Sequence, residues 1–192
     1  MKHYAGVGSR ATPKQCLRLM QEFAYRAAKA GWTLRSGGAN GADTAFELGC
    51  DDAIGPKEIF LPWARYNQHE STLCNPLADA RVLASHLHPA WKTLAPSIQK
   101  LVARNMHQIL GKTLDLPVQF VICYTADGAE RFEDYSIKTG GTGTAIALAS
   151  VNNIPVFNLH NNGRYADALH FLLTDKEYQH EHNTTTNDND FQ

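Results

Sequence analysis

Ser36-Gly37-Gly38-Ala39-Asn40-Gly41-Ala42-Asp43 is the stretch on which the reading of this chain turns. It follows a short strand-like segment at residues 32–35 and runs into a helical stretch at residues 43–50. Glycine at a strand-to-helix junction lets the backbone come close to a ligand, because no Cβ stands in the way. The helix beyond it points unpaired N–H groups and the positive end of its dipole at the same spot. That is a ready anion site, and phosphate suits it best. A second loop of the same kind, Thr139-Gly140-Gly141-Thr142-Gly143-Thr144, precedes an alanine-rich helical stretch. Two such loops predict a nucleotide or sugar-phosphate ligand held from two sides.

Outward from these loops, strands and helices alternate. Residues 3–8 read as a first strand ending in Gly8-Ser9-Arg10, and Thr12 reads as an N-cap with Pro13 at the first helical position. Leu17, Met20, Ala24, Ala27 and Ala28 recur at helical spacing until Gly31 stops them. Strand composition returns at residues 57–61, 118–124 and 155–159, and helical patterns at 98–110, 144–152 and 165–173. The pattern predicts a three-layer α/β fold with a mainly parallel sheet. Residues 1–178 form one domain in this reading, with a less regular insertion at about 63–97. The polar repeat at 179–192 reads as a disordered tail. In such folds ligands bind beyond the carboxyl ends of the strands, where three loops gather: Gly8-Ser9-Arg10, the Ser36 loop and the Thr139 loop.

Composition narrows the function classes. The formal net charge is −1 and 43% of the 192 residues are hydrophobic, so no global basic field draws in nucleic acid. The cysteines (Cys16, Cys50, Cys74, Cys123) form no CxxC pair, no apolar run approaches membrane-spanning length, and no leader precedes the first strand. The expectation is free thiols in a cytoplasmic setting. His69 and His86-Leu87-His88 match no strong zinc spacing, so neither a metal nor another cofactor is expected. Trp63, Tyr66 and Trp91 suit core packing better than base stacking.

Gly-Ser-Arg after strand one, Ser-Gly-Gly-Ala-x-Gly-Ala-Asp after strand two and a late Gly-Gly-Thr-Gly-Thr together resemble the SLOG superfamily. That superfamily of Rossmann-like proteins includes DprA, the LOG enzymes and nucleotide-sensing domains. The Ser36 loop and the pair Arg104-Asn105 are most similar to the DprA-like branch, and the Thr139 loop to the LOG-type loop. The resemblance covers roughly residues 3–160, with 63–97 unmatched. It implies nucleotide binding, and its members often dimerise, so a homo-oligomer is expected. One position departs. LOG-type phosphoribohydrolases carry a catalytic glutamate where this chain has Ala147.

The candidate residues follow. Ser9, Thr142 and Thr144 offer hydroxyls to a phosphate, and Arg10 can grip it bidentately. Gly8, Ser36, Gly37, Gly38, Ala39, Gly41, Gly140, Gly141 and Gly143 supply the close backbone. Asp43 reads equally as a helix cap or as a contact to a ribose hydroxyl. Glu47, one helical turn on, shares its face, so Asp43 and Glu47 are the substitutes for the missing glutamate. Asp127, Glu130, Glu133 and Asp134 are weaker ones. Asn105 falls on the apolar face of its helix, where an amide must be hydrogen-bonded. It either braces a glycine loop or ties down other backbone. Arg104 lies beside that face, within reach of a phosphate or of solvent. The reading is a nucleotide-binding protein with N-glycosidic hydrolysis of a nucleoside monophosphate as its candidate chemistry. Its rivals are a non-catalytic nucleotide sensor or scavenger and a DprA-like binder of single-stranded DNA. The last needs a basic groove, for which Lys92, Lys100, Arg104 and Lys112 are the available charges.

Overall fold

The computed structural model describes residues 2–136 and 138–174; the polar tail expected at 179–192 lies outside them. Five strands form one sheet: β1 (Lys2–Gly8), β2 (Trp32–Ser36), β3 (Lys57–Ile59), β4 (Phe120–Tyr124) and β5 (Val156–Asn158). Their order is β3-β2-β1-β4-β5 and every pairing is parallel. Six helices accompany them: α1 (Lys14–Lys29), α2 (Ala42–Asp52), α3 (Ala78–Leu87), α4 (Pro96–Leu110), α5 (Gly143–Val151) and α6 (Arg164–Thr174). The expected three-layer α/β fold is the observed one.

Strand side chains alternate between two cores, as the period of two requires. Tyr4, Phe120, Ile122 and Phe157 face α1, α2 and α6, whereas Ala5, Val7, Val121, Cys123 and Val156 face α3, α4 and α5. In α1, Met20, Phe23, Ala24 and Ala27 are the buried stripe. The first core centres on Phe120. Tyr4 stacks on its ring at 5.5 Å, while Phe23, Trp32, Phe157 and Phe171 meet it edge-on.

Several sequence expectations shift in detail. Pro13, not Thr12, occupies the N-cap position of α1. The Thr12 hydroxyl turns back to donate to the Ser9 carbonyl at 2.7 Å, closing the β1–α1 turn. β3 ends at Ile59, and Leu61 instead bridges to Cys74. The segment 63–97 contains α3, which packs on α4 and α5. All four cysteines are free.

The strand order fixes where a site can form. The chain builds outward from β1 through β2 to β3, then crosses back by way of α3 and α4 to lay β4 on the other side of β1. Connections leaving β1 and β4 therefore depart to opposite faces and leave a crevice between them. Replacing Phe120 by alanine removes the ring around which the first core is built. Urea denaturation should show a loss of about 3–5 kcal/mol.

Candidate functional site

A cavity of about 480 Å³ occupies that crevice. Its wall takes Gly8, Ser9 and Arg10 from the end of β1, Ala39 and Asp43 from the second loop, one face of α4, and Lys138 through Thr142 from the third loop.

The first two loops are joined through backbone. The Ser9 N–H donates to the Tyr124 carbonyl at 3.2 Å, and the Ala42 N–H donates to the Ser9 carbonyl at 3.3 Å. Gly41 makes this approach possible. Its φ is +86°, and a Cβ there would lie 2.7 Å from the Arg10 carbonyl oxygen. Gly37 serves a different neighbour: a Cβ would fall 1.2 Å from Nη1 of Arg104. The missing side chain is the space the guanidinium occupies. From there Arg104 donates to Asp43 Oδ2 at 3.3 Å, with both side chains buried. Asp43 Oδ2 also accepts the Ala39 N–H at 3.3 Å, so it holds the loop closed rather than capping α2. Burial pushes the Asp43 carboxyl up; Arg104 and the Ala39 N–H pull it down without overcoming that. Nε of Arg104 is buried and has no partner among the described residues.

The third loop is anchored from below and from one side. Asn105 donates to the Gly141 carbonyl at 2.7 Å and to Thr144 Oγ1 at 3.1 Å. Of the two alternatives for its amide, bracing a glycine loop is the one found. Asp127 accepts the hydroxyls of Ser136 at 2.7 Å and Thr139 at 2.5 Å. Burial pushes the Asp127 carboxyl up, but the hydroxyls of Thr139, Ser136 and Thr125 and the Ala129 N–H outweigh it and hold the group at about 2. Residues Gly140–Thr142 form a single tight turn leading into α5. A Cβ on Gly140 or Gly141 would meet open space.

Of the expected residues, Gly8, Ser9, Arg10, Ala39, Asp43, Arg104, Asn105, Gly140, Gly141 and Thr142 line the cavity. Ser36, Gly37, Gly38, Gly41, Gly143 and Thr144 are not in the wall and support it. The Ser36 hydroxyl donates to the Gly6 carbonyl, and a Cβ on Gly143 would collide with the ring of Tyr135. Gly38 has a φ of +65°, and a Cβ there would meet Leu61 at 2.9 Å. Glu47 does not line the cavity. Its carboxylate accepts Lys57 Nζ at 2.6 Å and His69 Nε2 at 2.7 Å. Burial raises its pKa, yet these partners pull it below the usual range, leaving it an ion-paired carboxylate outside the cavity wall. Glu130 is likewise taken, by Arg164 and the Asn158 N–H, and Asp134 by the N–H groups of Glu130 and Arg131. Ala147 is fully buried in α5. Of the four cations weighed for a basic groove, Arg104 is buried and paired with Asp43, and Lys92, Lys100 and Lys112 do not line the cavity.

Sequence reasoning missed Gln108, Lys138 and the wall position of Tyr66. A signal for Gln108 existed. Arg104, Asn105, His107 and Gln108 crowd the last turns of a helix whose apolar stripe shows it to be packed, so some of them must be buried.

No family model matches the sequence, and no curated protein does. Among solved structures, the chain is similar to DNA processing protein A from Helicobacter pylori, described for its single-stranded DNA binding mode. The TM-score is 0.55 at 19% identity, over 96% of this chain and 80% of that one. It is also similar to DNA processing protein A (DprA) from Streptococcus pneumoniae, with a TM-score of 0.51 at 19% identity. That match covers 91% of this chain, which spans 56% of the length of the longer protein. At these identities the likeness is one of fold. No helix among the described residues is long and apolar enough to cross a membrane.

The depressed carboxyl of Asp127 gives the third loop a pH signature. A group whose folded pKa lies below its unfolded value near 3.9 stabilises the fold above that value, and the contribution is lost as pH falls towards about 2. Urea unfolding at pH 5 and pH 2.5 should therefore show a larger drop for the wild type than for Asp127→Asn.

Proposed function

We propose that this chain binds a nucleotide or nucleotide-derived ligand in the cavity between its three loops. One observation carries the reading. At the sheet's switch point the cavity wall gathers donors for an anion: the Ser9 hydroxyl, Arg10, Lys138, the Gly140–Thr142 turn ahead of α5 and the unpartnered Nε of Arg104. Against them stands a single carboxylate among the described wall residues, that of Asp43, and Arg104 already neutralises it. The volume is in the range of small-molecule sites. The phosphate sits against residues 138–142 and Ser9, where backbone N–H groups and the helix dipole act together.

Hydrolysis of the N-glycosidic bond is the chemistry to test at this site. Water would add to the anomeric carbon while the C–N bond breaks and the base leaves with a proton. A carboxylate would stabilise the positive charge developing on the sugar. With Glu47 engaged elsewhere and alanine at position 147, that part falls to Asp43. Its burial and its pairing with Arg104 favour retention of an intact nucleotide. The rival reading, binding of single-stranded DNA, rests on the fold shared with the Helicobacter pylori protein. The near-neutral net charge and the interior position of Arg104 favour the small ligand.

The experiment is calorimetric titration with nucleoside mono-, di- and triphosphates and with a single-stranded oligonucleotide, followed by mass spectrometry of the mixtures. Gly141→Val fills open space beside the cavity, so its unfolding midpoint should stay within about 2 °C of the wild type. Its nucleotide affinity should fall tenfold or more. Unchanged affinity rejects the loop assignment. Release of a free base with a sugar phosphate, abolished in Asp43→Asn, would establish hydrolysis. Oligonucleotide binding that weakens steeply with salt, with no nucleotide bound, would establish the rival.

A further inference from the structure

Gln108 is only 1% exposed, lines the cavity, and carries an amide nitrogen with no hydrogen-bond partner among the described residues. Nothing in the binding of a phosphate accounts for it. α4 descends from the loop rim of the sheet, because residues 111–119 lead from its C-terminus into the start of β4. The Ile109 carbonyl accepts the Val118 N–H, which fixes that lower end. Gln108 therefore lies one helical turn deeper than Arg104 and Asn105, away from the third loop. The cavity wall also carries the apolar side chains of Val7, Val102 and Ala145. A lone amide donor among apolar groups is costly unless something completes it.

We propose that Gln108 reads the base of a nucleoside monophosphate that enters the cavity base first, leaving its phosphate at the rim. The inference rests on the nucleotide reading above and adds the orientation, the substrate class and the residue that discriminates. A phosphate does not suit this depth. Arg104, one turn above, is engaged by Asp43, and Val7, Val102 and Ala145 contribute hydrocarbon to the wall. A flat uncharged ring does suit it. Its faces pack on the apolar wall, and its edge presents a carbonyl or ring-nitrogen acceptor to the Gln108 amide. An amide matched to one base edge leaves a donor or acceptor unpaired against another, and this is the physical basis of selectivity.

The test compares wild type, Gln108→Leu and Gln108→Met for binding of four nucleoside monophosphates and of ribose 5-phosphate, with unfolding midpoints alongside. The wild type should bind its preferred monophosphate about tenfold more tightly than the least favoured one and than ribose 5-phosphate. Both variants should lose the ranking among bases while keeping the affinity for ribose 5-phosphate. Their midpoints should not fall, because an alkyl group replaces an unsatisfied amide. Variants that keep the base ranking overturn the proposal. So does a wild type that binds ribose 5-phosphate as tightly as every monophosphate, an outcome that leaves the phosphate site standing. Loss of ribose 5-phosphate binding together with a lowered midpoint assigns Gln108 a structural role and also overturns it. A wild type that binds none of these ligands rejects the nucleotide reading itself.

Discussion

The buried pair between Arg104 and Asp43 is the constraint around which the site is arranged. Both side chains are withdrawn from water, and the 3.3 Å contact links the second glycine loop to α4. Desolvating two charges offsets much of their attraction, so such a pair adds little net stability over an apolar substitute. Removing one partner is another matter, since it strands a charge inside. The pair therefore fixes geometry more than it adds free energy. It dictates that residue 37 carry no side chain, and it sets Asn105, the next residue along, at the height of the Gly141 carbonyl. Through α4 the second and third loops are thus placed relative to each other. The first loop joins them by backbone hydrogen bonds to Tyr124 and Ala42.

The architecture was legible in the sequence because it rests on local signals that agree. Short segments of strand composition, a stripe of apolar residues through α1 and glycines at the strand ends all point to one layered fold, and tertiary packing overrides none of them. The three loops at the strand ends were legible for the same reason. The limits appear where one residue type serves two purposes. Gly37, Gly38 and Gly141 look alike in the chain. One makes room for a guanidinium, one avoids Leu61, and one borders open space. No local pattern distinguishes these, since each depends on what another element brings opposite. Glu47 failed as a candidate in the same way. Its spacing from Asp43 is real, but Lys57 and His69 come from segments whose approach no helical wheel foretells. Gln108 needed the converse insight, that a packed helix can bury more polar side chains than its partners satisfy.

Asp43 and Asp127 show how one fold treats two carboxylates differently. Asp127 receives hydroxyls and a backbone N–H and stays ionised far into acid. It acts as a fastener for the third loop. Asp43 has a cation beside it and still feels burial most. Of the two, only Asp43 borders the cavity. Any proton or charge chemistry at this site must therefore pass through a group that its surroundings hold near neutrality with Arg104. That arrangement suits recognition of a ribose hydroxyl, where a fixed acceptor is wanted, better than it suits a mobile proton.

The unsatisfied donors complete the argument. Nε of Arg104 and Nε2 of Gln108 are both buried, both in the cavity wall and four residues apart on α4. An unsatisfied buried donor of this kind costs roughly 1–3 kcal/mol. A ligand that supplies acceptors at both heights recovers that free energy on binding, in addition to what the loops contribute. Because a bound ligand stabilises the fold in proportion to the logarithm of its concentration over its dissociation constant, the same two atoms couple stability to occupancy. A molecule meeting only the upper donor leaves the lower one buried and alone, and binds with that penalty still in place.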